Sequence, residues 1–209
     1  MKLVLASNNA KKLAEMRALF AALPLELVAQ GSLGIGEAEE PHGTFVENAL
    51  AKARHAAQAS GLPAIADDSG LCVDALGGAP GVHSAHFAPA VPQHAGREAQ
   101  RREQDAANNR LLVQRLAGQS NRRARFVSTL VALRSADDPE PLVAFGRWEG
   151  EVLDGPRGEN GFGYDALVYF RELHASSAQL APEIKNQHSH RARAAAQMLQ
   201  LLREVWHLG

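Results

Sequence analysis

The chain has 209 residues, 45% of them apolar and 22% charged, and a net charge of −1 at neutral pH. That length suits one large domain or two small ones around a substantial core, in a soluble globular protein. The near-zero charge excludes a global electrostatic pull toward nucleic acid or an acidic membrane surface, and a single cysteine, Cys72, excludes an intramolecular disulfide.

Cys72 sits in an apolar run and reads as a small core residue of a protein in a reducing compartment. No apolar run approaches the ~20 residues that span a bilayer. Asn8-Asn9 and Lys11-Lys12 interrupt any signal-peptide core, so the expected location is cytoplasmic.

Residues 3–6 read as a short buried strand. Ser7, Asn8 and Asn9 are good N-cap types, and Leu13, Met16, Phe20 and Leu23 then mark one face of a helix that Pro24 ends. A strand, polar turn and helix in that order present backbone N–H groups that attract an anion. Lys11 and Lys12 stand in the first turn, where the helix dipole disfavours cations; they are either two solvated lysines or a sign of an anionic ligand.

Residues 25–29 form a second candidate strand, and residues 30–43 a loop carrying Glu37, Glu39 and Glu40. Thr44-Phe45-Val46-Glu47 is a capping box that opens a helix with a narrow face of Phe45, Ala49, Ala53 and Ala56, ended by Gly61 and Pro63. Lys52 and Arg54 read there as a solvated face.

The next stretch is the most telling. Ala64-Ile65-Ala66 runs into Asp67 and Asp68, Ser69-Gly70 follow, and Leu71-Cys72-Val73 resumes the apolar run before Asp74 and a cluster of glycines. Carboxylates at the end of a buried strand are costly unless compensated, usually by a divalent cation. The other reading is a polar hairpin turn, since Asp-Ser-Gly is ordinary turn chemistry.

Residues 82–96 are loop-like and hold His83, His86 and His94, without the spacing of a zinc site. Residues 97–116 form a polar helix that Gly118 stops. Its arginines, with Arg122, Arg123 and Arg125, make the most basic stretch; without interleaved aromatics it suits a solvated or partner-facing surface better than nucleic acid. Residues 124–133 and 142–152 read as two long strands of an antiparallel hairpin around the turn Asp137-Asp138-Pro139. Between Asp154 and Asp165, four glycines surround two aromatics, meaning close backbone approach or tight turns. A strand at 166–170 follows. A donor-dense stretch from Ile184 through Lys185 and His190 to Arg191 then leads into a last helix with Leu199, Leu202 and Trp206 on its core face.

Six separated stretches combine in a recognisable order. Ser7-Asn8-Asn9-Ala10-Lys11-Lys12, Thr44 to Ala49, Ala66 to Leu71, Leu76 to Gly81, Gly161-Phe162-Gly163-Tyr164-Asp165, and Lys185 with Ser189-His190-Arg191 cover nearly the whole chain. In these the chain resembles the inosine/xanthosine triphosphate pyrophosphatases, which hydrolyse non-standard purine nucleoside triphosphates. The resemblance implies a single domain over residues 1–209 with an elongated α/β fold: a curved mixed sheet flanked by helices and a nucleotide cleft between two lobes. It implies a homodimer and Mg²⁺-dependent cleavage between the α- and β-phosphates, with no nucleic-acid or membrane partner. By the same resemblance Ser7, Asn8, Asn9, Ala10, Lys11 and Lys12 would cradle the triphosphate, and Lys52 and Ser69 would also bind substrate. Glu40 and Asp68 would hold the metal, and Asp68 would accept the proton of the attacking water. Phe162, Gly163, Tyr164, Asp165, Lys185, His190 and Arg191 would bind base and phosphates.

Two positions depart from the family pattern: Asn8 replaces a glycine, at a place where Asn tolerates left-handed backbone best, and His86 replaces a basic residue. An Asp of ordinary pKa near ~3.9 is ionised at neutral pH but a weak base. Asp67 either raises the pKa of Asp68 by repulsion or caps a turn. Lys185 and Arg191 are donor-only and suit a 6-oxo purine over adenine. The competing readings are a related pyrophosphatase acting on pyrimidine or modified nucleotides, and a non-catalytic nucleotide sensor or nucleic-acid-binding module using residues 97–125.

Overall fold

Leu3, Val4 and Leu5 are apolar without alternation because both faces of their strand are covered. This strand, β1 (Lys2–Leu5), lies between two parallel neighbours. β2 (Glu26–Ala29) pairs with it from Lys2↔Glu26 to Leu5↔Ala29, and β3 (Ala64–Val73) pairs at Val4↔Ala64 and Leu5↔Ile65. Four more strands, β4 (Arg123–Leu133), β5 (Leu142–Val152), β6 (Val168–Phe170) and β7 (Ala175–Ser176), complete a seven-stranded sheet in the order β2-β1-β3-β4-β5-β6-β7. The β5–β6 and β6–β7 pairs are antiparallel, so the sheet is mixed, and with its helices the fold is α/β. The helices are α1 (Ala10–Leu19), α2 (Phe45–Ser60), α3 (Arg97–Arg115), α4 (Pro182–His188) and α5 (His190–Val205). These elements come from a computed structural model that describes residues 1–92 and 96–208.

Two compact units share the chain. The first comprises Met1–Asp68, Ser128–Arg147 and Asn186–Gly209; the second comprises Ser69–Val127 and Trp148–Lys185. In the first, strand alternation sorts the core into two layers. Leu3, Leu5 and Ile65 pack with Met16 and Phe20 of α1 and with Ala194, Met198 and Leu202 of α5. Val4, Ala6, Ala64 and Ala66 pack with Ala49, Ala53, Ala56 and Ala57 of α2, whose small residues form the narrow face expected from the sequence. The second unit has its own core of Leu71, Val73, Leu112, Leu116, Trp148 and Phe170, in which the Trp148 and Phe170 rings stack at 3.4 Å and 9°.

Most expected elements form, with some differences. Ser69 and Gly70 do not turn the chain: residues 64–73 are one continuous strand, because the carboxylates within it meet cations rather than solvent. The donor-dense tail begins with a separate short helix, α4, before Ser189 caps α5 by accepting from the Ala192 N–H. The strand expected at 166–170 is limited to Val168–Phe170. The loop at 82–96 contains a 3₁₀ turn over Gly81–His86, on which His83 and His86 are exposed; His94 lies outside the described residues. Arg122 and Arg125 do not belong to a free basic surface. Arg122 donates to the carbonyls of Leu116, Val152 and Leu153, and Arg125 pairs with Asp74 at 2.7 Å.

Gly146 explains how closely α5 can approach β5. A Cβ there would run into the His190 carbonyl oxygen and come within 2.6 Å of the Ala194 backbone nitrogen. Phe145 N–H donating to Gln197, and Arg193 donating to the Arg147 carbonyl, tie the same helix to the same strand. Backbone cannot yield as a side-chain tip can, so Gly146→Ala is expected at the upper end of the ~1–3 kcal/mol typical of overpacking. Urea denaturation measures this, with Gly155→Ala as the comparison, since a Cβ at Gly155 meets nothing within 4 Å.

Candidate active site

Successive side chains of a strand point to opposite faces, so Asp67 and Asp68 cannot share an environment. Asp67 follows Ile65 onto the α1/α5 face and is 1% exposed. Its Oδ2 accepts from Lys12 Nζ at 2.9 Å and Arg191 Nε at 3.0 Å, and its Oδ1 accepts from the Ser128 hydroxyl at 2.7 Å. Lys12 also donates to the Asp67 carbonyl, and Arg191 Nη1 pairs with Glu15. Burial alone would oppose ionisation of Asp67, but the Lys12 and Arg191 charges outweigh it and hold the carboxyl well below its usual range. Burial, assisted by Arg191 and Lys52, lowers the Lys12 pKa, while Arg191 is raised by its two carboxylates against its own burial.

Asp68 follows Ala66 onto the α2 face. Its Oδ1 accepts from Lys52 Nζ at 2.8 Å, and the same ammonium donates to Glu40 Oε2 at 2.9 Å. Burial is the largest influence on Asp68 and raises its pKa to about 6; the Lys52 cation opposes this and Glu40 adds to it. Lys52 is raised by Asp68 and Glu40 against its burial, and Glu40 is lowered because Lys52 outweighs its own partial burial. Asp68 Oδ2 is buried and faces no hydrogen-bond partner. A hard cation fits this arrangement: two carboxylates converge on one point, and one buried oxygen lacks a donor. Among the described residues no three acidic, histidine or cysteine side chains gather as a full protein cage. Such a site suits a metal that takes one or two carboxylates and leaves its other positions to water and phosphate.

Several expectations change here. Lys12 and Lys52 are not solvated: both are mostly buried ion-pair partners, while Lys11 is exposed. Asp67 neither caps a turn nor governs Asp68; it anchors two cations. Asp68 is not an ordinary weak base, since burial brings it near neutrality. At the start of α1, Asn9 Oδ1 accepts from the Lys11 and Lys12 N–H groups, and Ser7 Oγ accepts from the Asn9 N–H, so part of the turn expected to cradle phosphate is internally satisfied. Asn8 has a negative φ and carries no backbone strain; its Oδ1 occupies the space that a Cβ on Gly31 would need.

Ser7, Asn8, Asn9, Ala10, Lys11, Lys12, Glu40, Lys52, Asp67, Asp68, His190 and Arg191 all belong to the first unit. Ser69, Phe162, Gly163, Tyr164, Asp165 and Lys185 belong to the second. There Asp165 Oδ2 accepts from Lys185 Nζ at 2.8 Å and from the Phe162 N–H at 2.9 Å, with the ammonium 5.2 Å from the Phe162 ring centroid. Tyr164 is buried and donates to the Ser84 carbonyl. Glu15 and Ser128 escape sequence reading. Glu15 looks like an ordinary surface residue of α1; Ser128 carried the better signal, a polar residue inside an apolar strand.

The two aspartates should separate in stability. Asp67→Asn leaves the buried Lys12 without its carboxylate and Arg191 with the Glu15 carboxylate, a loss of about 3–5 kcal/mol. Asp68→Asn leaves Glu40 to pair with Lys52 and is expected to cost less than about half of that. Folding lowers the Asp67 pKa from 3.8, so its contribution is complete above that pH and lost as acid titrates the folded carboxyl. Urea denaturation of the wild type and both variants between pH 7 and pH 2 checks the ranking and the acid loss.

Comparison with known proteins identifies the family of the chain. The Ham1 family model matches residues 3–201. The dITP/XTP pyrophosphatase of Methylibium petroleiphilum is 70% identical over 206 residues, 99% of each chain. That of Leptothrix cholodnii is 70% identical over 211, covering both chains fully. A solved HAM1 protein from Coxiella burnetii is similar with a TM-score of 0.85 at 40% identity, over 98% of this chain and 100% of that one. Since the match takes in both aspartates, the opening strand–helix turn and the glycine-rich loop, this chain belongs to the Ham1 family.

Proposed function

We propose that this protein is a single-domain nucleoside triphosphate pyrophosphatase over residues 1–209 that hydrolyses non-standard purine nucleotides, dITP, ITP and XTP, to the monophosphate and pyrophosphate. One observation carries the reading: Asp68, raised to about 6, stands beside Glu40 and Lys52 with a buried oxygen that no donor meets. The relatives named dITP/XTP pyrophosphatase, 70% identical along the whole chain, support the substrate class.

Asp68 is the base. It takes one proton from a water whose oxygen bonds to the α-phosphorus as the α–β bridging bond breaks and pyrophosphate leaves. In the metal-free protein burial sets this carboxylate near 6, so it is largely ionised at neutral pH and open to a metal or to the water's proton. Magnesium, held by Glu40 and Asp68, would neutralise phosphate charge and acidify water in this reading. Lys52 holds the two carboxylates in place beforehand. Ser7, Asn8, Asn9, Ala10, Lys11, Lys12 and Ser69 bind the phosphates, with Lys12 supplying a cation that Asp67 keeps fixed.

Phe162, Gly163, Tyr164, Asp165, Lys185 and His190 serve the base. Arg191 already spends Nε and Nη1 on Asp67 and Glu15, so its part is to hold that cluster. Donation to a 6-oxo group then falls to Lys185, a donor-only ammonium that Asp165 Oδ2 orients beside the Phe162 ring. Adenine presents a donor at that position and would be refused. A homodimer, which the family resemblance implies, and a cytoplasmic location, which the sequence reading favours, complete the proposal.

Incubation with Mg²⁺ and dITP, ITP or XTP should release pyrophosphate and the matching monophosphate; orthophosphate release would contradict the reading. Asp68→Asn should lose at least ~10³-fold in kcat while staying folded. Protons and metal compete for Asp68, so half-saturating Mg²⁺ should rise about tenfold per pH unit below about pH 6. Metal titrations of turnover at pH 5, 6 and 7 check this.

A further inference from the structure

We infer that Asp105 and Asn109, on α3, are positioning residues that set the loop around Phe162 for recognition of the base. The inference rests on the proposed function, which gives Phe162 and its neighbours that task.

Gly163 is the weak point of the loop. Its φ of +61° lies in the left-handed region, and a Cβ there would meet nothing within 4 Å, so the requirement for glycine comes from backbone conformation alone. A glycine in such a turn loses more freedom on ordering than any other residue. Two side chains of α3 hold it from both sides. The Gly163 N–H donates to Asp105 Oδ2 at 2.8 Å, and its carbonyl accepts from Asn109 Nδ2 at 3.0 Å. Four residues apart on a helix, the two lie on one face and grip consecutive peptide groups.

The same helix secures what surrounds the loop. Asn108 Nδ2 donates to the carbonyls of Ser84 and Ala85, Asn108 Oδ1 accepts from the Ala88 N–H, and Gln104 donates to the Ala88 carbonyl. Tyr164 in turn donates to the Ser84 carbonyl at 2.9 Å. The Gln104, Asp105, Asn108 and Asn109 side chains of this polar helix are therefore an internal scaffold. Phe162 stands between two glycines of positive φ, so its ring direction depends on the peptides that Asp105 and Asn109 fix.

Each hydrogen bond is worth about fivefold in an equilibrium. Hydrogen exchange at the Gly163 amide, together with kcat and KM for dITP, tests the inference in Asp105→Ala, Asp105→Asn, Asn109→Ala and Arg110→Ala. Arg110 is an exposed neighbour on the same helix. Both alanine variants at 105 and 109 should speed Gly163 exchange and raise KM about fivefold, with kcat within about twofold of the wild type. Asp105→Asn keeps an oxygen acceptor and, like Arg110→Ala, should stay within about twofold in every measure. An unchanged KM in the alanine variants, or Asp105→Asn as impaired as Asp105→Ala, overturns the inference while the functional reading stands. A wild-type protein with no turnover of dITP overturns the functional reading and the inference with it.

Discussion

Two carboxylates in succession on one buried strand impose the constraint on which the rest of the first unit depends. The pleat sends them to opposite faces, so each must be compensated by different helices. On one face α1 and α5 supply Lys12 and Arg191; on the other α2 supplies Lys52. The outcomes differ because the balance of charge differs. Asp67 has two cations and a hydroxyl and stays ionised, whereas Asp68 shares one cation with Glu40 and keeps an uncompensated oxygen. Neighbouring residues of one chemical type are thereby divided into a compensated anchor and a carboxyl of raised pKa, by environment alone.

The supporting geometry follows from small residues. Ala49, Ala53 and Ala56 let α2 lie close to the sheet, which brings Lys52 within reach of Asp68. Gly146 does the same for α5 at the turn that carries His190 and Arg191. The second unit repeats the theme of a buried cation against a carboxylate in Lys185 and Asp165, beside an aromatic ring. At α2 and α5 long side chains would hold the helices off the sheet and leave the charged groups unpaired. Packing and electrostatics are thus one constraint here.

Much of this was legible in the sequence. The strand–turn–helix at the start, the capping box at Thr44 and the two long strands β4 and β5 follow from local pattern, and the structure has them nearly where expected, except that α1 ends at Leu19 rather than at Pro24. Asp68 stood out because a carboxylate ending an apolar run needs a partner. The partners themselves were not legible, since they come from far along the chain: Asp67 meets Lys12 across 55 residues and Arg191 across 124. Local pattern reports only neighbours, so Lys12 and Lys52 looked solvated, and Ser69-Gly70 looked like a turn. The short helix α4, only seven residues long, has too few turns to show a period. Asp105 and Asn109 were hidden for the opposite reason, because a polar helix face looks the same whether it meets water or a loop backbone.

The division of labour between Asp67 and Asp68 is tested most directly by following both side-chain carboxyl carbons by NMR in the metal-free protein as pH is lowered. The account predicts that Asp68 titrates near pH 6 and that Asp67 shows no titration of its own above its usual carboxylate range. Asp68 titrating near the ordinary value of ~3.9, or Asp67 titrating in the neutral range, would contradict it.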